Sequence, residues 1–172
     1  MYPYIDELVC LLKDMQLKRV YIDSERPFIV NGEVFSLQNP QDIILGYSEL
    51  IDKLEKSEIP YVFKASLPFC LFPKTLLAHL KAQRRLEAGC QMLSASGVVF
   101  DTNGDFLACN QLCENPLAQF GKDFCDYKTF NKVLMSEKVE SFYKLIQSYP
   151  NEKCMKCADW SECGGGCRIN WL

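Results

Sequence analysis

The sequence lacks a long hydrophobic run, an excess of one charge, and all but one histidine. No apolar stretch approaches the roughly 18 residues of a membrane span, so we expect no membrane partner. Nineteen basic and 22 acidic side chains are mixed along the chain, with a net charge of −3. This balance excludes the one-sided basic surface of a nucleic-acid binder. His79 is interpreted as an ordinary helix residue, although it is the sole candidate if a nitrogen ligand is needed.

The amino terminus also lacks the basic-then-apolar order of a signal peptide, so we expect a cytoplasmic protein. Cysteine, in contrast, is abundant, with ten in 172 residues. Disulfides would explain that number in a small secreted protein. A cytoplasmic chain long enough to bury a core favours metal binding instead.

Residues 1–68 alternate helix and strand. Apolar periodicity predicts one helix ending near Met15 and another opened by Asn39 and Pro40, with Cys10 buried in the first. Strands are predicted over 18–23 and 59–65, separated from each other by a loop and the second helix. Such alternation indicates parallel strands covered by helices. Because two strands leave sheet edges unpaired, this region is expected to be part of a larger α/β body.

Residues 69–172 have a different pattern. A helix is predicted to end at Gly89, followed by a hairpin with Asn103 and Gly104 at its turn. A later helix carries an apolar face over residues 139–149. The predicted fold class is therefore α+β, with two βα units followed by a hairpin and helices.

The tail contains four thiols and three consecutive glycines within fourteen residues: Cys154, Cys157, Cys163, Gly164, Gly165, Gly166 and Cys167. Four nearby thiolates repel one another unless cations neutralise them, so a metal is expected. Structural zinc usually takes two separated C-x2-C pairs, and only one pair here has that form. The glycines remove every Cβ between two ligands, which suits a bulky cluster. Spacing therefore favours iron-sulfur over zinc, with disulfides or free thiols as the third alternative.

The cysteine pattern resembles the SPASM domain, the auxiliary-cluster extension of many radical S-adenosylmethionine enzymes, particularly peptide maturases. Thirteen residues separate Cys90 from Gly104, and four more lead to Cys109. The tail then follows the family's C-x2-C-x5-C-x3-C spacing. Six of the family's seven cysteines are matched between residues 90 and 167.

The resemblance implies two 4Fe-4S clusters with interlaced ligands. The first would take Cys90, Cys109 and Cys167, with Cys70 as the candidate for a further ligand or else a buried core thiol. The second would take the remaining tail cysteines: Cys154, Cys157 and Cys163.

The family's seventh cysteine would lie beyond Cys167, where this sequence has only five more residues. Either the end has been lost, or Cys113 or Cys125 substitutes, or the second cluster keeps an open iron or never assembles. The alternative for Cys113 and Cys125 is that each is a free thiol.

The family's C-x3-C-x2-C motif, which holds the cluster that cleaves S-adenosylmethionine, is missing from the sequence. We therefore expect that this chain does not cleave S-adenosylmethionine alone. Residues 1–68 then resemble the last βα units of a radical S-adenosylmethionine barrel, and residues 69–172 the auxiliary cluster domain.

By this resemblance, the chain would be the auxiliary part of an enzyme that modifies a ribosomally made precursor peptide. Its clusters would serve electron transfer or substrate binding, and a barrel domain or partner protein would supply the radical site. Two alternatives are a non-catalytic module that binds a peptide or partner, and a zinc-stabilised structural domain.

Overall fold

Helices and short strands alternate along the chain in a computed structural model that describes residues 4–24, 26–35 and 39–171. The helices are α1 (Ile5–Asp14), α2 (Pro40–Lys56), α3 (Lys74–Ala82), α4 (Gln91–Ser94), α5 (Tyr127–Leu134), α6 (Glu137–Gln147), α7 (Glu152–Met155) and α8 (Trp160–Cys163). The strands are β1 (Val20–Asp23), β2 (Phe28–Val30), β3 (Glu33–Phe35), β4 (Tyr61–Lys64), β5 (Leu86–Glu87), β6 (Val99–Phe100) and β7 (Phe106–Leu107). The mixture confirms the α+β class.

The described residues divide into two units. Unit 1 contains those of 1–25 and 37–88, and unit 2 contains those of 26–36 and 89–172. This division differs from the predicted boundary at residue 68, because residues 69–88 join the first unit. It reflects packing alone, so the assignment of residues 1–68 to a barrel remnant stays a prediction.

Unit 1 is built on a parallel sheet with the strand order β1-β4-β5. The parallel pairing of the first two strands confirms the prediction, and β5 adds a third strand that the sequence analysis did not identify. Asn39 caps α2 as predicted, because its side chain accepts a hydrogen bond of 3.1 Å from the Gln41 amide. Leu54, Phe63 and Leu80 are fully buried at the centre of the unit.

Two predictions about the helices of unit 1 are wrong. Cys10 is exposed, because α1 buries only the stripe containing Ile5 and Val9. The helix expected to reach Gly89 ends at Ala82, where Arg84 adopts a left-handed conformation with φ of 54°. The Arg85 amide then donates to the Leu80 carbonyl and closes the helix without a glycine.

Unit 2 combines two antiparallel hairpins with short helices. The predicted hairpin is confirmed as β6 and β7, but only Gly104 of the turn pair has a positive φ. The segment 24–34, predicted to be a loop, contains most of a second hairpin, β2 and β3, turned by Asn31 and Gly32. Helix α6 buries Val139 and Ile146 on its predicted apolar face. No helix in the described part of the chain is both long and apolar enough to cross a membrane.

Candidate metal centre

Three of the predicted ligands meet at the hydrophobic core of unit 2. Cys167 is buried in this core, and Cys90 and Cys109 are half-buried against it. Cys90 directly precedes α4, and Cys109 directly precedes a 3-10 turn at Asn110–Leu112. Three thiols from distant parts of the sequence therefore face one core.

Burial makes the central thiol, Cys167, a weaker acid than an ordinary cysteine. Burial raises the pKa of Cys167, and the nearby sulfurs of Cys90 and Cys109 raise it further, although the Ile169 amide and the charge of Arg26 act in the opposite direction. Cys167 thus holds its proton when no cation is present. A metal that binds here has to displace that proton, which makes binding dependent on pH.

The three glycines before Cys167 form a left-handed turn. Gly164, Gly165 and Gly166 have φ values of 55°, 82° and 75°, which L side chains rarely adopt. A Cβ on Gly164 would lie 2.4 Å from Cδ2 of Leu93, and one on Gly165 would lie 2.9 Å from Cγ of Pro150. Glycine is therefore needed here for its conformation, and close packing against Leu93 and Pro150 adds a second reason.

Side chains beyond the turn hold its carbonyls. Nη1 of Arg168 donates to the Gly164 carbonyl at 3.4 Å, and Nε1 of Trp171 donates to the Gly165 carbonyl at 2.8 Å. The turn is thus fixed from its carboxyl side, which places Cys167 in the core.

The other tail cysteines lie on short helices. Cys154 is half-buried in α7, whose first turn is capped by Asn151 through bonds to the amides of Lys153 and Cys154. Cys163 ends α8 and is half-buried, whereas Cys157 is exposed between the two helices. The structure therefore presents these thiols at different depths.

Proximity of the thiols does not amount to a preformed ion site. Within the described residues, no three His, Cys, Asp or Glu side chains are arranged to hold a metal ion. Thiolates on one zinc ion lie within about 4 Å of each other, because each Zn–S bond is about 2.3 Å. The cysteines at the core influence one another electrostatically, but they are not drawn together to that extent.

The three less certain ligand candidates are all exposed: Cys70, Cys113 and Cys125. The interpretation of Cys70 as a buried core thiol is therefore wrong. It belongs to a 3-10 turn of unit 1, Phe69–Leu71, while the other two belong to unit 2. His79 also lies in unit 1, where its Nε2 is 2.7 Å from Oε1 of Glu55.

Unit 2 has two further features that sequence reasoning missed. One is the buried cation Arg168, which directly follows the last cysteine and gives no periodic signal. The other is an apolar cleft of about 480 Å³ lined by residues that include Val98, Leu134, Met135 and Tyr143. Both depend on contacts between segments that are distant in the sequence.

Comparison with known proteins gives no further guide. No family model matches the chain, and neither a curated protein nor a solved structure matches it at a significant level.

Proposed function

We propose that this chain is the auxiliary cluster-binding part of a radical S-adenosylmethionine enzyme that modifies a ribosomally made precursor peptide. The observation that carries the proposal is the meeting of Cys90, Cys109 and Cys167 at one core. These are the three residues that the SPASM resemblance assigns to a single cluster. The resemblance depends on the cysteine pattern along the sequence, so the meeting of these residues in the fold supports it separately.

The donor set fits iron-sulfur clusters. Cys90, Cys109 and Cys167 would hold the first cluster, and Cys154, Cys157 and Cys163 the second. All six of these donors are thiols, the ligand type that iron-sulfur clusters take. Bound clusters supply a site that accepts or relays single electrons.

The chain's own residues prepare that site. The core excludes water around Cys167, and its thiol gives up a proton when it becomes a ligand. The glycine turn separates Cys163 from Cys167 and lets them serve different clusters. Cys113 and Cys125, which lie in unit 2, remain the candidates for the ligand that completes the second set.

Unit 1 is interpreted as the end of a partial barrel. The outer strands β1 and β5 form the two edges of its parallel sheet, with β4 between them. Neither edge pairs with a further strand among the described residues. An intact enzyme would continue the sheet there and bind S-adenosylmethionine in a barrel domain or partner protein. We place the protein in the cytoplasm, where reducing conditions keep its thiols available.

Metal analysis of protein purified without oxygen tests the proposal. We expect about eight irons and as many sulfides per chain, with visible absorption from thiolate-to-iron charge transfer. Substitution Cys109→Ser or Cys167→Ser should remove about half of the iron, whereas Cys10→Ser should retain it all. About four irons in the wild type would mean that the second cluster lacks a needed ligand.

A colourless protein with zinc and no sulfide would replace this proposal with the zinc-stabilised domain. Radical chemistry is tested separately by adding S-adenosylmethionine and dithionite to the reconstituted chain. We expect no 5′-deoxyadenosine, and its formation would show that the chain has its own radical site.

The apolar cleft favours a second candidate function, a non-catalytic module that binds a peptide. Met135 stands exposed at its lining, next to the apolar side chains of Val98 and Leu134. Selection from a random peptide library would test this candidate, with Val98→Glu as the variant that fills the cleft with charge. Binding without any iron-sulfur content would favour the module over the cluster protein.

A further inference from the structure

Arg168 is a buried cation in unit 2 without a carboxylate partner. Only 3% of its surface is exposed, and none of its contacts in the described residues is with Asp or Glu. Its Nη2 donates to the Ser148 carbonyl, its Nη1 donates to the Gly164 carbonyl, and its Nε is buried with no hydrogen-bond partner.

This arrangement is costly for the protein as it stands. Burying a charged group costs several kcal/mol unless an opposite charge and hydrogen bonds compensate it. Two carbonyls satisfy part of the guanidinium, but they supply no negative charge. The Nε without a hydrogen-bond partner and the uncompensated positive charge of the guanidinium both favour an anion at this position.

The neighbours of Arg168 indicate which anion that is. Burial lowers the pKa of the Arg168 guanidinium, while the sulfurs of Cys90 and Cys154 act to raise it. These two cysteines belong to different ligand sets, since Cys90 is assigned to the first cluster and Cys154 to the second. Geometry agrees, because Arg168 directly follows Cys167 of the first set, and its Nη1 donates to the carbonyl of Gly164, which directly follows Cys163 of the second set.

We infer that Arg168 is a positioning residue that balances the negative charge of both sets of cysteine ligands. The inference rests on the proposed function, since it assumes that the cysteines bind clusters. The guanidinium keeps its proton throughout, and its buried Nε–H has no partner among the described residues. A cluster held by either set would gain negative charge when an external reductant such as dithionite supplied one electron, and the positive charge of Arg168 would stabilise it.

The prediction is a shift of reduction potential. Arg168→Met removes the charge, so the reduced clusters are less stable and both midpoint potentials become more negative. Arg168→Lys retains a cation and should return the potentials most of the way to the wild-type values. Lys156→Met removes an exposed charge next to Cys157 and should have a much smaller effect, because water screens that position.

Redox titrations followed by electron paramagnetic resonance measure these potentials on the reconstituted full chain. Iron and sulfide counts on every variant ensure that loaded proteins are compared. Wild-type potentials in loaded Arg168→Met would overturn the inference and leave the proposed function standing. A wild type that binds no iron or sulfide would overturn the proposed function.

One further measurement keeps the inference testable. If the variants do not fold, the Nε–H signal of Arg168 in ¹⁵N-labelled wild type should broaden when clusters bind, and an unbroadened signal in fully loaded protein would refute it.

Discussion

Unit 1 and unit 2 obtain their order in different ways. Unit 1 relies on regular backbone structure, with a 17-residue helix, α2, and three parallel strands. In unit 2 the longest helix, α6, has 11 residues, and β6 and β7 have two residues each. Side-chain contacts stabilise much of that unit, through ring packing, Asn and Asp helix caps, and a buried arginine. Short elements of this kind leave unit 2 dependent on side-chain contacts for its order.

The largest expected effect is that of cluster loading on the two units. Iron and sulfide should slow hydrogen exchange strongly at the amides of residues 150–168 while leaving α2 and β4 unchanged. Metal binding to small zinc domains contributes roughly 10 kcal/mol or more to folding, which gives the scale. Hydrogen exchange measured by mass spectrometry with and without clusters provides the test. An equal gain in protection in both units would contradict the difference between them.

The next effect concerns the ring cluster of unit 2. Phe106 is almost completely buried and lies 5.2 Å from Phe130 and 6.2 Å from Phe100 between ring centroids. Phe106→Ala should lower the free energy of unfolding by about 3–5 kcal/mol, measured by urea titration. Phe120→Ala is the control, since Phe120 is half exposed, and a similar loss in both variants would contradict the importance of this core.

A smaller effect is expected at the glycine turn. Gly164→Ala should cost about 2 kcal/mol, because a left-handed residue with a Cβ loses roughly 1–2 kcal/mol and Leu93 must also move. Gly121→Ala is matched in conformation, with φ of 78°, but has open space around its Cβ. Thermal unfolding should therefore show a greater loss at Gly164, and equal losses would mean that packing against Leu93 is unimportant.

The smallest effect lies in unit 1, where Glu55 accepts hydrogen bonds from the Tyr61 hydroxyl at 2.5 Å and from His79 at 2.7 Å. Burial acts to raise the pKa of Glu55, but these bonds and the charges of His79 and Arg85 outweigh it, so the pKa is lowered. A lowered carboxyl pKa stabilises the fold above the unfolded value of about 4.3. That stabilisation is lost as the pH falls through the folded pKa.

Glu55→Gln should therefore be less stable than the wild type by about 1 kcal/mol at pH 7, since Glu55 is partly exposed. The difference should shrink as the pH falls below about 4. Urea unfolding at pH 7, 5 and 3 measures it, with the exposed Glu58→Gln as the control. A difference that stays constant with pH would show that the charge of Glu55 makes no contribution.

Much of the regular structure follows from local sequence. The Asn39 cap, the apolar stripe of α6 and the Gly104 turn are encoded within a few residues, so they could be predicted. The hairpin at Asn31 and Gly32 carries the same Asn-Gly signal, so the predicted loop over residues 24–34 is wrong for a feature that is also encoded locally.

Other features depend on distant contacts. Strand β5 has two residues and exists only through pairing with β4, so periodicity cannot reveal it. Arg84 ends α3 in a conformation that its residue type disfavours, which local rules assign to glycine or asparagine. For the candidate site, the SPASM resemblance groups Cys90, Cys109 and Cys167, while their packing at one core and the burial of Arg168 depend on the folded structure.

The hairpin of β2 and β3 has a practical consequence for dissecting this molecule. It belongs to unit 2, where Ile29 packs on the core and the Asn31 amide donates to Oε2 of Glu114 at 2.6 Å, yet in the sequence it interrupts unit 1. A fragment starting at Gly89 would lack one of its own core side chains. Splitting the protein at a single bond therefore yields two incomplete pieces, and a faithful excision of the cysteine-bearing half needs residues 26–36 grafted back onto it.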